Sequence, residues 1–271
     1  MRMARLLAFL LVAAPACASE VVVHLALSDS MRAGLERGAV QALRVEIAAP
    51  HREAHIVETK EPVAIVSDVD AGTWRLRAFV VMRDATYIVH PRGEEIAVAA
   101  DTRADVIVQV PPLLVSGTMT LRGTPFAGRM LVSPSVRDRA AWSVNVPIDE
   151  KGRFAFPVPW PGDWDLQLYA RGAEMSAKVP RVAFRTTRVD VTLPEGAIHG
   201  RVVDGSGHGV AGVRVLATLN DDVAGGTVSG NDGRFTLDAL LGGTWTLTVP
   251  GQKPVKVELP EGGRKEVVLL R

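Results

Sequence analysis

The chain has 271 residues, 47% hydrophobic and 23% charged, with 25 Gly and 17 Pro, a globular composition that excludes a disordered or collagen-like protein. Lys and Arg total 31 against 30 Asp and Glu, so a net charge of +1 gives no electrostatic reason to seek a nucleic-acid partner or an anionic membrane surface. One Cys excludes an internal disulfide and a thiolate metal cluster. Valine outnumbers leucine 39 to 25, an excess of β-branched residues that favours strands.

At the N-terminus, Arg2 and Arg5 precede an apolar run of nine residues, Leu6 to Ala14, followed by Pro15 and Ala16-Cys17-Ala18. A basic segment, a short apolar segment and an A-x-A site predict a signal peptide over residues 1–18, cleaved after Ala18. The run is too short to span a bilayer, which takes about 20 residues. No second run of that length follows, so no transmembrane helix is expected in the mature chain. The alternative keeps Cys17 as the acylated first residue of a membrane-anchored lipoprotein, although Ala14-Pro15-Ala16 lacks the leucine that opens a lipobox. Arg outnumbers Lys 25 to 6, which points to a GC-rich bacterial genome. Export then means the periplasm, the outer membrane surface or the exterior.

Beyond the leader, the one stretch with helical spacing is Ser30 to Val40, where Met31, Leu35 and Ala39 fall at i, i+4 and i+8. Gly34 and Gly38 weaken it by about 1 kcal/mol each, so an inserted loop with a single helical turn at most is expected.

The rest of the chain repeats. Gly-x-Trp followed by alternating apolar residues occurs at Gly72-Thr73-Trp74, Gly162-Asp163-Trp164 and Gly243-Thr244-Trp245, with Trp spacings of 90 and 81 residues. Ten residues before the Trp stand Phe154 and Phe235, with Ala64 at that place in the first repeat. Further upstream, Gln41-Ala42-Leu43-Arg44-Val45, Ala127-Gly128-Arg129-Met130-Leu131 and Ala211-Gly212-Val213-Arg214-Val215 keep step. A unit of this length is a small domain with its own core rather than a solenoid repeat. Boundaries are expected near Pro111-Pro112 and Pro194-Glu195-Gly196, dividing the mature chain into 19–112, 113–196 and 197–271. Short proline-bearing joints predict three units in line, a rod roughly 100 Å long. Within each repeat the period is two: Val45, Ile47 and Ala49 alternate with Glu46 and Ala48, and Trp245, Leu247 and Val249 with Thr246 and Thr248. Turn signals such as Asp204-Gly205 and Asn231-Asp232-Gly233 separate the runs, so each repeat reads as a β-sandwich.

The third repeat, from Gly196 to Pro250, resembles the carboxypeptidase regulatory-like domain, a transthyretin-like β-sandwich of about seven strands. The resemblance rests on Asp204, Gly212, Gly233, Phe235 and Gly243, with Trp245 in place of the usual Tyr. It extends to Gly117, Gly128, Gly152, Phe154 and Gly162 in the second repeat, and mainly to Gly72, Trp74 and Leu76 in the first. It implies an all-β chain of three tandem transthyretin-like sandwiches, used as scaffold or accessory rather than catalyst. Gly233 is expected to supply a positive φ in the hairpin turn before Phe235. Phe235 and Trp245 are expected to fill one core from neighbouring strands.

The sequence offers few residue sets with chemistry. His55 and Glu58 spell the His-x-x-Glu zinc pair, but three residues apart on a strand they face opposite ways. His51 and His55 read as a solvated loop or edge, Asn231-Asp232-Gly233 as a turn, and Gly205-Ser206-Gly207-His208-Gly209 as a hairpin loop; Asn220-Asp221-Asp222 is the better calcium candidate, though it lacks a loop of alternating ligands. No Gly-x-Ser-x-Gly elbow occurs, and no residue set calls for a catalytic role, a cofactor or a metal. The three motif Trp read as core, which leaves Trp160 and Trp142 as candidate ligand contacts, Trp160 before a turn in Pro159-Trp160-Pro161. The expected function is an exported, non-catalytic structural or protein-interaction module of the bacterial envelope, with an envelope protein or polysaccharide as partner. A carbohydrate-binding module is the alternative, and an accessory part of a secreted hydrolase system a distant one.

Overall fold

The computed structural model describes residues 19–89, 93–111, 113–135, 143–171, 176–220 and 222–271. The leader and Cys17 lie outside them, as does Trp142. The first part of the chain contains β1 (Ser19–Ala26), α1 (Asp29–Glu36), β2 (Val40–Ala48), β3 (His55–Thr59), β4 (Val63–Val69), β5 (Gly72–Met82), β6 (Thr86–Ile88), β7 (Glu94–Val98) and β8 (Arg103–Gln109). Next come β9 (Leu113–Leu121), β10 (Thr124–Pro125), β11 (Gly128–Pro134), β12 (Val144–Ile148), β13 (Arg153–Val158), β14 (Gly162–Ala170), β15 (Ser176–Phe184) and β16 (Val191–Thr192). The last part holds β17 (Gly196–Val203), β18 (Arg214–Leu219), β19 (Asp222–Val228), β20 (Arg234–Leu240), β21 (Gly243–Thr248), β22 (Val255–Leu259) and β23 (Arg264–Leu270).

One plan recurs three times. A first strand pairs antiparallel with a fourth and parallel with a last: β1 with β4 and β8, β9 with β13 and β16, β17 with β20 and β23. The facing sheet carries the other strands, β3-β2-β5-β7, β12-β11-β14-β15 and β19-β18-β21-β22. Setting aside β6 and β10, each sandwich has seven strands, as the family resemblance implies. Alternation drives the strands: on β5, Trp74, Leu76, Ala78, Val80 and Met82 are buried while the residues between them face outward. Phe235 and Trp245 do fill one core, but from facing sheets, β20 and β21, rather than from neighbouring strands of one sheet. Gly233 and Gly152 both take the left-handed φ of their hairpin turns, at 78° and 73°.

The helix is longer than its glycines predict. It has eight residues, two turns, and its N-cap Ser28 accepts a hydrogen bond from the Met31 amide. Met31 is fully buried, and Gly34 lies so close to Leu114 of β9 that a Cβ would crowd that side chain. The intrinsic cost of glycine is offset by the tertiary approach it permits.

The sandwiches are not strung end to end as the joints suggest. One hydrophobic core runs through the first and second, linked by Met31, Tyr87 and Leu114. Ser30 Oγ accepts from the Leu114 amide at 3.1 Å across that junction. The second and third join at a sheet edge: Ser176 and Ala177 of β15 pair with Gly226 and Gly225 of β19, giving a continuous eight-stranded sheet. Arg122 reinforces the joint with an ion pair to Asp238 at 2.7 Å and a hydrogen bond to the Glu195 carbonyl at 3.0 Å. All three sandwiches therefore face one another closely enough to border a common cleft, which a straight rod would not permit.

Candidate functional site

The common cleft has a volume of about 1300 Å³. The end of β5 and the turn Arg83-Asp84-Ala85 form one wall. The start of β11 and the ends of β12 and β14 form the middle, and β18 with β19 the far wall. Much of the lining is small, including Ala39, Ala85, Gly128, Ala170, Gly225 and Gly226. Into this surface project five arginines, Arg83, Arg129, Arg153, Arg171 and Arg214, against the carboxylates of Asp84 and Asp149. A chain that is nearly neutral overall is thus locally cationic here.

Two of the five arginines are committed. Arg153 pairs with Asp149 at 2.7 Å, and Arg171 with Glu150 at 3.0 Å. Desolvation raises the Asp149 carboxyl, but hydrogen bonds from the Arg153 side chain and from the Arg153 and Lys151 amides outweigh it, holding the group below the ordinary aspartate range and ionised. The other three arginines make no ion pair among the described residues, and each comes from a different sandwich: Arg83 from the first, Arg129 from the second, Arg214 from the third. All three are exposed. The Arg129 guanidinium lies over the Tyr169 ring, 4.7 Å from its centroid. Stacking holds its plane and leaves the N–H edges available.

The register explains two of these positions. Ile47 stands opposite Leu76, Val132 opposite Leu166 and Ala217 opposite Leu247, each two residues after a Gly-x-Trp tryptophan. Counting back three residues, Arg44, Arg129 and Arg214 occupy one repeated place. Matching the sequences at Ala-Gly puts Val213 beside Arg129, one residue out of step. In the first sandwich Arg44 is held by Glu58 of β3 at 2.7 Å. Sequence reasoning therefore missed the cationic cleft, although the recurring Arg was present in the repeat.

The residues singled out from sequence lie elsewhere. Trp160 is half-buried and stacks on Trp164, with centroids 5.1 Å apart and planes at 27°, outside the cleft lining. Trp74, Trp164 and Trp245 are core residues. His55 packs edge-on against Trp74 at 5.3 Å while Glu58 binds Arg44, so the two serve different partners. Asn220 sits in a turn with φ of 52°, and Asp221 lies outside the described residues. The Asp204 carboxylate accepts from the Ser206 and His208 amides, folding Gly205–Gly209 into a hairpin loop. Among the described residues, no group of three or more His, Cys, Asp or Glu is placed to hold a metal ion, and no helix is long and apolar enough to cross a membrane.

Residues 197–269 match the carboxypeptidase regulatory-like domain family. The match spans β17 to β23, the third sandwich, and less than half of the chain. No curated protein matches. Among solved structures, the Bacillus anthracis TIE protein is 11% identical over 94% of this chain, with a TM-score of 0.25, and the chain spans 50% of its length. A streptococcal ancillary pilin is 14% identical over 94% of this chain and 98% of its own, with a TM-score of 0.25. A putative adhesin from Bacteroides ovatus is 7% identical over 76% of this chain and 94% of its own, with a TM-score of 0.33. Likeness at this level says nothing about activity.

Proposed function

We propose that this protein is an exported, non-catalytic interaction module of a bacterial envelope, comprising a leader over 1–18 and sandwiches over 19–112, 113–196 and 197–271. The observation that carries the reading is the composite cleft, since its three unpaired arginines come from three sandwiches and meet only when all three are assembled. A recognition surface of this kind uses the sandwiches as a frame, in keeping with a repeated Gly-x-Trp motif whose tryptophans sit in the cores. The leader supports export. Cleavage after Ala18 gives a mature chain starting at Ser19, and mass spectrometry of the N-terminal peptide tests it, a lipid-modified Cys17 being the contrary result.

The module itself is tested by photo-cross-linking in the envelope fraction. A reactive side chain placed at Ala85, in the cleft, is expected to capture an envelope component. The same group at exposed Lys265 on β23 is expected to capture none. Equal yields at the two positions would count against a cleft-based module.

A further inference from the structure

We propose that the cleft binds an acidic polysaccharide, a glycan whose sugar units carry carboxylates, with Arg83, Arg129 and Arg214 as the contacts to its charges. The inference rests on the module reading and names the partner's chemistry. Three guanidinium groups border a single groove without ion-pair partners among the described residues. A planar fork with free N–H edges suits a carboxylate, which it can bind through two parallel hydrogen bonds. The arginines stand one to a sandwich rather than clustered, which matches single charges spaced along a chain better than a compact dianion.

The lining argues for sugar over peptide. Small residues such as Ala85, Ala170, Gly225 and Gly226 give a broad floor, whereas an extended peptide takes its specificity from pockets for alternate side chains. β11 and β14, which form the middle of the cleft, are paired on both sides within the eight-stranded sheet and cannot accept an added strand there. Tyr169, capped by Arg129, supplies an aromatic beside the charge.

The test is calorimetric titration of the full chain with an oligogalacturonide. Binding is expected, weakening as salt rises, and it should be lost when the same oligosaccharide is methyl-esterified, which removes charge and keeps the sugar backbone. Arg129→Gln and Arg214→Gln should each weaken binding about tenfold, and the triple variant with Arg83→Gln should abolish it. Arg129→Lys keeps the charge but loses the fork, and should still weaken binding. Arg264→Gln, exposed on β23 outside the cleft, should change nothing. Because the three arginines are exposed, melting temperatures should match the parent, so lost binding would not reflect unfolding. Unchanged affinity in the triple variant would overturn the proposal. So would preference for polyglutamate, or binding of a phosphorylated mannan alone. Cross-linking of a protein at Ala85 without glycan binding would keep the module and overturn the glycan.

Discussion

One departure of the first repeat lies at a pair of facing residues. Phe235 stands directly opposite Gly200, and Phe154 opposite Gly117. A Cβ on Gly200 would run into the Phe235 ring, so the glycine makes room for the phenyl group. At the same place in the first sandwich, Ala64 stands opposite Val23. The large and small partners have changed strands, and the missing Phe reflects volume compensation. One sequence shows the absent Phe at position 64 but not the bulk gained at 23, because the pairing register is needed to connect them. In the third sandwich, Phe235→Ala should cost about 3–5 kcal/mol and Gly200→Val about 1–3 kcal/mol through overpacking. The double variant should be less destabilised than the two losses added together, a coupling of about 1–3 kcal/mol measurable by denaturant unfolding. Strict additivity would show that the pair is not a packing unit. The repeated tryptophans were legible, because Gly-x-Trp recurs and alternation turns the Trp inward. The sequence could not show what anchors them. Trp74 and Trp245 each donate their indole N–H to the carbonyl four residues back, Asp70 and Leu241, at 2.9 Å. Gly72 and Gly243, at φ of 148° and 143°, shape the corner that permits this.

Among the elements, strands were easy to read and junctions were not. Period-two alternation reports which face of a strand is buried, and each sandwich follows from it. The helix α1 was underestimated because Gly34 counts against a helix in isolation, while its benefit, close approach to Leu114, exists only in the folded chain. Ser28→Ala should remove the cap to Met31 and destabilise the first two sandwiches by about 1 kcal/mol, read in thermal unfolding. The β15–β19 joint was equally hidden. It depends on Gly225, where a Cβ would sit 2.7 Å from the Ser176 carbonyl oxygen. Tyr87 provides a pH readout of the first junction, since its hydroxyl lies 3.5 Å from the Ala155 carbonyl. Burial, and then the charge of Asp84, raise its phenol well above the ordinary value of 10.0. Below about pH 10 the phenol is protonated in folded and unfolded chains alike, so this contribution is fully present. Above that pH the unfolded chain releases the proton first, and stability falls as pH climbs toward the folded value. Tyr87→Phe should remove that alkaline loss, which is checked by comparing both proteins in urea on either side of pH 10. Parallel curves for the two proteins would contradict the buried, protonated phenol.

At the scale of the molecule, the described residues of three repeats form two cores. One apolar cluster joins the first and second sandwiches through Met31, Tyr87, Leu114 and Val115. The third has its own, centred on Phe235, Leu237, Trp245 and Leu247, and it meets the second through the short β15–β19 pairing, the Arg122–Asp238 ion pair and Ala239. A shared apolar interior couples unfolding strongly, whereas two paired positions and a single, partly buried ion pair couple it weakly. Calorimetry should therefore resolve two transitions rather than one or three. Trp245→Ala should lower only the transition of the third sandwich, by about 10 °C or more, because a loss of ~3–5 kcal/mol is large for so small a unit. Trp164→Ala should lower the other transition, and Trp74→Ala should lower that same one, although the two tryptophans are 90 residues apart and in different sandwiches. The repeat pattern alone would assign those substitutions to separate domains. If Trp74→Ala and Trp164→Ala shift different transitions, the first two sandwiches unfold independently and the continuous core between them does not govern stability.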